Sequence, residues 1–304
     1  MSNERPSGRL SRLSAGNLGV FRGSDAVAEG VSRKQLATLK AAGVIDREFP
    51  DVYRMTVVTR SEEQRLRAAL AWAGDDSAAA VLSAGELYKL EGVRVPEPEV
   101  VVPSTRRLRS DNVIVHRSDD FASLMIRKHH GLRVTGVEAT VVGLAHALSA
   151  EAFEIACEDA RRRRLTTVPA LRAYLARFGR RGLPGVRATR DLLDQLDPVY
   201  PARSTLEVKT RRLLVAHGYR DFTREFPLEW NGRVRRFDFA FEATRTILET
   251  NGRRWHDDAT DYEDDNEKWS VPGRRGYRLV FATWDKVTNH PRELLAELAE
   301  TFAA

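Results

Sequence analysis

The sequence predicts a multidomain α+β and α/β protein. It comprises an N-terminal winged helix-turn-helix (1–60), a mixed α/β middle domain (61–200) and a C-terminal α/β domain with a central mixed sheet (201–304). Three observations lead there. The chain has 304 residues, more than one ordinary domain of ~100–200 residues. Composition shifts near residues 60 and 200, the second marked by Asp197-Pro198-Val199-Tyr200-Pro201, where proline ends any preceding helix. Helix-like and strand-like patterns are intermixed along the chain.

In the first segment, Ser24 to Glu29 is helix-sized and Gly30 punctuates it. Ser32 stands three residues before Gln35, a capping-box spacing that opens a second helix. That helix turns Leu36 and Leu39 inward, and Gly43 stops it. Val44-Ile45 and Val52-Tyr53 flank Phe49-Pro50-Asp51 as a two-stranded wing. In such a unit the first turn of the second helix enters the major groove. Ser32, Arg33, Lys34 and Gln35 occupy that turn, and their side-chain types read base edges or hold phosphates. The alternative is a small helical domain that packs against another protein.

The middle segment reads as helices at Ser61–Ala73 and Val81–Leu90, then strands at Glu99–Val102 and Val113–Val115. Thr135 and Glu138 have capping-box spacing and open an apolar helix to Leu148. Helices follow at 150–164, 168–178 and 186–196. His116, His129, His130 and His146 have no ligand spacing and are expected to be structural or superficial. The run Arg161–Arg164 is read either as a phosphate contact or as cations on a helix C-terminus.

In the third segment Ser204-Thr-Leu-Glu207 opens a helix, with Glu207 as the N3 member of a capping box. Asn231-Gly232 predicts a hairpin between Glu225–Trp230 and Val234–Phe241. Alternation puts Phe237, Phe239 and Phe241 on one face, with Asp238 and Ala240 on the other. Thr246–Asn251 is the next strand, and pairing would set Asp238 beside Glu249. A further strand, Tyr277–Ala282, and a closing helix, Pro291–Phe302, complete the segment. Two neighbouring carboxylates repel unless a cation neutralises them, and Mg²⁺ (or Mn²⁺) suits all-oxygen ligands. A metal-bound water can then attack a phosphodiester. Arg233, Arg235, Arg236, Arg253 and Arg254 flank these strands and could hold a nucleic-acid backbone.

The run Phe237-Asp238-Phe239, Leu248-Glu249-Thr250-Asn251-Gly252, His256, Asp265, Gly276-Tyr277-Arg278 and Thr283-Trp284 resembles the very-short-patch-repair-like endonucleases of the PD-(D/E)xK superfamily. The resemblance covers the last hundred residues and implies a restriction-endonuclease-like fold. It implies metal ligation by Asp238 and Glu249, a helix acid at Glu207 and an acid–base or water-orienting role for His256. Asn251 stands where that family usually has aspartate and the wider superfamily lysine. Lys268 replaces a common arginine. Pro272 replaces a leucine, so the helix around it is expected to be short. Seven acids between Asp257 and Glu267 form a strip that repels phosphate unless it faces away or binds metal.

At the other end, Val20-Phe21, Ser24-Asp25, Gly30 to Leu36, Gly43-Val44-Ile45 and Val52-Tyr53-Arg54 resemble the winged helix of AbiEi-family type IV antitoxins. Val100–Pro103, Val115-His116-Arg117 and Thr135–Thr140 are similar to the domain that often comes after it. This resemblance implies operator binding and autoregulation.

Charge and cysteine content narrow the function classes. There are 49 basic and 43 acidic residues, and the basic excess is densest in residues 1–60. Such a balance suits a DNA partner. One cysteine excludes a disulfide scaffold or a multi-cysteine zinc site and fits a cytoplasmic protein. No apolar run is long enough to span a membrane, and the N-terminus does not read as a signal peptide. The first reading is therefore a metal-dependent DNA endonuclease addressed by its winged helix. The alternative is a catalytically inactive DNA-binding regulator or antitoxin, with a possible toxin partner. A third reading is a protein-interaction module without a nucleic-acid role.

Overall fold

The computed structural model describes residues 5–251 and 259–303. It divides into two compact units, one running to Pro198 and the other beginning at Val199.

The first unit opens with α1 (Pro6–Ser14), β1 (Val20–Arg22), α2 (Gly23–Ala28), α3 (Arg33–Ala41), β2 (Ile45–Phe49) and β3 (Val52–Met55). Pro6–Ser14 form a helix that Pro6 starts and that buries Leu10 fully. Gly30 turns the chain between α2 and α3 at φ +81°, a conformation that costs a side-chain-bearing residue but not glycine. The expected capping box at α3 is present. Ser32 Oγ accepts the Gln35 N–H, and Gln35 Oε1 accepts the Ser32 N–H. β3 lies between β1 and β2, both antiparallel to it. Leu10, Phe21, Ala26, Val31, Leu36, Ile45 and Met55 form the core here.

The same unit continues with α4 (Glu62–Ala73), β4 (Ala78–Ala79), α5 (Val81–Leu87), β5 (Glu99–Pro103), β6 (Ile114–Ser118), β7 (Arg127–His129) and β8 (Leu132–Val134). Four helices complete it: α6 (Val137–Ala147), α7 (Ala150–Arg162), α8 (Val168–Phe178) and α9 (Val186–Leu193). The five strands make a mixed sheet in the order β6-β5-β4-β8-β7. Ala68 of α4 packs against Val20 and Val52, so α4 anchors the small N-terminal sheet. Val100 and Val102 of the five-stranded sheet meet Leu144, Phe153, Cys157 and Leu171 in the main core. Cys157 is fully buried on α7, and desolvation pushes its thiol up to about 12.

One expectation fails here. Thr135 and Glu138 make no capping box. The helix begins after Gly136, the Thr135 hydroxyl meets Thr140 Oγ1 at 2.8 Å, and Glu138 accepts from Thr166. The arginines after Asp159 are cations on a helix C-terminus, with Arg161 and Arg162 in the last turn of α7 and Arg163 as its cap residue. Arg161 is buried on Glu158 at 2.7 Å, while Arg162 and Arg163 both engage Asp159.

The second unit contains α10 (Thr205–Ala216), β9 (Thr223–Trp230), β10 (Arg233–Phe241), β11 (Thr246–Asn251), α11 (Ala259–Arg274), β12 (Arg278–Thr283), α12 (Trp284–Thr288) and α13 (Pro291–Ala303). Its sheet runs β12-β11-β10-β9. β9, β10 and β11 are antiparallel, and β12 returns parallel to β11 after α11. One face carries Phe239, Phe241, Leu248 and Val280 against Leu214 of α10 and Leu294 of α13. The other carries Leu228, Ala240 and Ile247 against Val271 of α11.

Phe237 does not share the face of Phe239 and Phe241. It packs with Ala240 and Ile247 on the α11 side, because the strand alternation breaks at Asp238. Nor does Pro272 shorten its helix. α11 has 16 residues and continues past the proline to end at Arg274. No helix among the described residues is long and apolar enough to cross a membrane.

Candidate functional site

A buried acidic cluster forms where α10 meets the break in β9 and β10. Ser204 caps α10 by accepting the Glu207 N–H at 3.1 Å. The Glu207 carboxylate turns back along the chain. Its Oε2 accepts the Arg203 N–H at 2.7 Å, and its Oε1 pairs with Arg224 at 2.7 Å. Glu207 is 1% exposed, and burial with the charge of Asp238 raises its carboxyl to about 6.

The ladder between β9 and β10 pairs Phe226 with Phe237 and Arg224 with Phe239. Between these pairs Glu225 stands opposite Asp238. Glu225 adopts φ +50°, inside a strand that otherwise requires extended backbone. A left-handed non-glycine residue costs roughly 1–3 kcal/mol and needs its surroundings to hold it. At this point both strands change face. Phe226 and Phe237 pack on the α11 side, while Arg224 reaches Glu207 of α10 and Phe239 packs with α10.

The break turns polar groups toward one another. Asp238 Oδ2 accepts the Thr250 N–H at 2.8 Å and the Thr250 hydroxyl at 2.5 Å. The Asp238 N–H donates to Glu249 Oε2 at 3.1 Å, and Glu249 Oε1 pairs with Lys268 of α11. Lys268 Nζ lies 5.3 Å from the Phe237 ring centroid, a cation–π placement. Burial, then Asp238, raises the Glu249 carboxyl to about 7, with Lys268 opposing. Glu225 Oε2 accepts from Arg203 at 2.7 Å. Carboxylate oxygens of Glu207, Glu225 and Asp238 lie within 4.8 Å of one another.

Three carboxylates at that spacing suit a hard divalent cation, which prefers oxygen ligands. The structure thus brings the carboxylates of Glu207 and Asp238 together and adds Glu225, which sequence reasoning passed over as ordinary strand. Glu249 stands beside them and is engaged by Lys268. Asn251 ends β11, paired in register with Thr283 of β12. Arg235 is drawn to Glu267 at 3.1 Å. Arg236 donates to the Glu225 carbonyl at 3.1 Å and stacks over Tyr200. His256, Arg253 and Arg254 lie outside the described residues, as do the acidic side chains from Asp257 to Asp265.

The second candidate surface is the first turn of α3. Ser32, Arg33, Lys34 and Gln35 are all exposed there. The side chains of Ser32 and Gln35 are spent on each other's backbone in the capping box. Arg33 Nη1 reaches Asp51 Oδ1 at 2.5 Å, and the Asp51 carboxylate also accepts the Ser24 N–H. The tip of the β2–β3 hairpin is thereby tied to the starts of both α2 and α3. Burial opposes ionisation of Asp51, but the bonds from Arg33 and Ser24 prevail and hold its carboxyl below the usual range.

Residues 9–56, which run from α1 to just past β3, match the family described as "Transcriptional regulator, AbiEi antitoxin". The first segment is therefore similar to an antitoxin-type transcriptional-regulator domain. Curated proteins give no match. Among solved structures, the RV2827C protein from Mycobacterium tuberculosis is 18% identical, with a TM-score of 0.44 over 66% of this chain and 80% of that one. That likeness is too low to carry fold or function across.

Proposed function

We propose that the protein is a DNA-binding transcriptional regulator of the antitoxin kind, with residues 1–60 acting as a winged helix-turn-helix. The family match over residues 9–56 carries this reading. The exposed, basic first turn of α3 supports it. Arg33 and Lys34 would make the DNA contacts. Ser32 and Gln35 instead hold that turn in shape, since each side chain is bonded to the other's backbone. The Arg33–Asp51 pair is exposed to water, so exchanging it for a phosphate costs little. A toxin protein is the partner that suits such a regulator.

The test is fluorescence anisotropy against duplexes selected from a random pool. Selected duplexes should bind more tightly than the unselected pool, and Arg33→Ala with Lys34→Ala should weaken binding at least tenfold. Equal affinity for wild type and the double variant would overturn the reading.

A second reading is favoured by the convergence of Glu207, Glu225 and Asp238. It is metal-dependent phosphodiester hydrolysis by a restriction-endonuclease-like domain in residues 201–304. Asp238 and Glu249 would hold Mg²⁺ or Mn²⁺ with Glu207 behind them, His256 would act as an acid–base group or orient water, and Asn251 would stand in the position that the family gives to aspartate. When bound, the cation would offset charge on the scissile phosphate and acidify its water. The chain itself fixes Asp238 through Thr250 and screens Glu249 with Lys268, and Arg235, Arg236, Arg253 and Arg254 would contact the nucleic-acid backbone. Supercoiled plasmid should be nicked with Mg²⁺ or Mn²⁺ by wild type but not by Asp238→Ala or Glu249→Ala. Intact plasmid under all conditions, with DNA still bound, would leave the regulator alone.

A further inference from the structure

We infer that Glu225 is a ligand of the divalent cation, completing a three-carboxylate site with Glu207 and Asp238. The inference rests on the second reading above and changes its ligand set. Glu249 supported by Lys268 becomes a neighbour of the cation, and Glu225 takes the ligand position.

Four observations lead to it. Glu225 and Asp238 face each other where both strands change face, and an oxygen from each lies within 4.8 Å of the other and of Glu207. Glu225 is 2% exposed, yet its Oε1 accepts no hydrogen bond from the described residues. A buried carboxylate oxygen without a donor is costly, and a cation removes that cost. The other oxygen, Oε2, is held by Arg203 at 2.7 Å, which fixes the carboxylate while leaving Oε1 for a ligand. Finally, the left-handed backbone at Glu225 interrupts the ladder at the one residue that supplies this carboxylate. Such local strain marks sites held in place by their surroundings.

Glu249 lies outside the group of three carboxylates whose oxygens come within 4.8 Å of one another. Its oxygens meet the Asp238 N–H and the Lys268 ammonium. Nothing comparable among the described residues occupies Glu225 Oε1.

The test uses the full chain and Mn²⁺ as probe. Mn²⁺ binding is titrated by electron paramagnetic resonance for wild type, Glu225→Gln, Glu225→Cys and Asp238→Asn. Glu225→Gln keeps the shape but loses the charge, and should weaken Mn²⁺ at least tenfold. Glu225→Cys should shift preference from Mn²⁺ toward Cd²⁺, because thiolate favours the softer ion only where it touches it. A purely structural role would not change metal preference. Wild-type crystals soaked in Mn²⁺ give a reading that needs no variant to fold. An anomalous peak ligated by Glu225 supports the inference. A peak ligated by Asp238 and Glu249 with Glu225 apart overturns it but spares the second reading, as does unchanged affinity in Glu225→Gln alongside loss in Asp238→Asn. No Mn²⁺ binding by wild type overturns both.

Discussion

The first turn of α3 and the carboxylate cluster of the second unit both concentrate charge, but they place it in opposite surroundings. At α3 the Arg33–Asp51 pair lies in water, with 58% and 38% of the two side chains exposed. Such a pair contributes little and is readily exchanged. In the second unit Glu207, Glu225, Asp238 and Glu249 are all buried, and burial heads the causes that raise Glu207 and Glu249. One region keeps its charge easy to redirect toward a macromolecular surface. The other holds like charges together at a cost, which suits binding a small ion.

The sharpest way to break this contrast is at Asp238. Its carboxylate meets Thr250, and its N–H meets Glu249. Asp238→Ala should abolish metal-dependent nicking and Mn²⁺ binding together, while DNA affinity measured without metal stays within about twofold. Plasmid assays and anisotropy on one preparation decide it.

Proton competition should produce the next largest effect. A cation must displace the proton that Glu207 retains up to about pH 6. Mn²⁺ affinity should therefore fall about tenfold per pH unit below that value. A flat profile between pH 5 and 7 would mean that Glu207 is not a ligand.

Glu249 makes a related prediction about stability. Its folded carboxyl titrates at about 7, raised from 4.5. The folded state thus holds a proton that the unfolded chain gives up earlier. The protonated form stabilises the fold at low pH, and that contribution declines as pH rises from about 4.5 through about 7. Glu249→Gln should flatten this slope in thermal unfolding without metal.

The smallest effect belongs to α3. Ser32→Ala removes one cap and should cost about 1 kcal/mol in denaturant unfolding of the first unit. It should reduce DNA binding far less than Arg33→Ala with Lys34→Ala. An equal loss would make Ser32 a base-reading residue rather than a cap.

What the sequence disclosed depended on distance along the chain. The Ser32–Gln35 box was legible because both bonds close within three residues. The hairpin at Asn231-Gly232 was legible too, and it set Asp238 in line with its partners. Glu225 was not, because its value arises from a backbone reversal that only the β9–β10 pairing creates. Lys268 drew notice as an unusual residue, but its bond to Glu249 spans 19 positions and depends on how α11 lies on the sheet. Thr135 and Glu138 show the opposite error. They have the spacing of a cap, yet Thr140, five residues on, and the distant Thr166 take the two side chains. Pro272 misled too, since it lies only two residues from the end of α11 and leaves the earlier turns in place.

The solitary cysteine of the chain lies in the first unit, sealed on α7 with its thiol held protonated. A thiol that is neither accessible nor ionised reacts only after the surrounding helices part. Its labelling rate is therefore a built-in stopwatch for opening of the first unit, to which the second unit contributes no signal. Adding selected DNA duplexes or Mn²⁺ in turn, and watching that single rate, would reveal whether either braces the unit that carries α3.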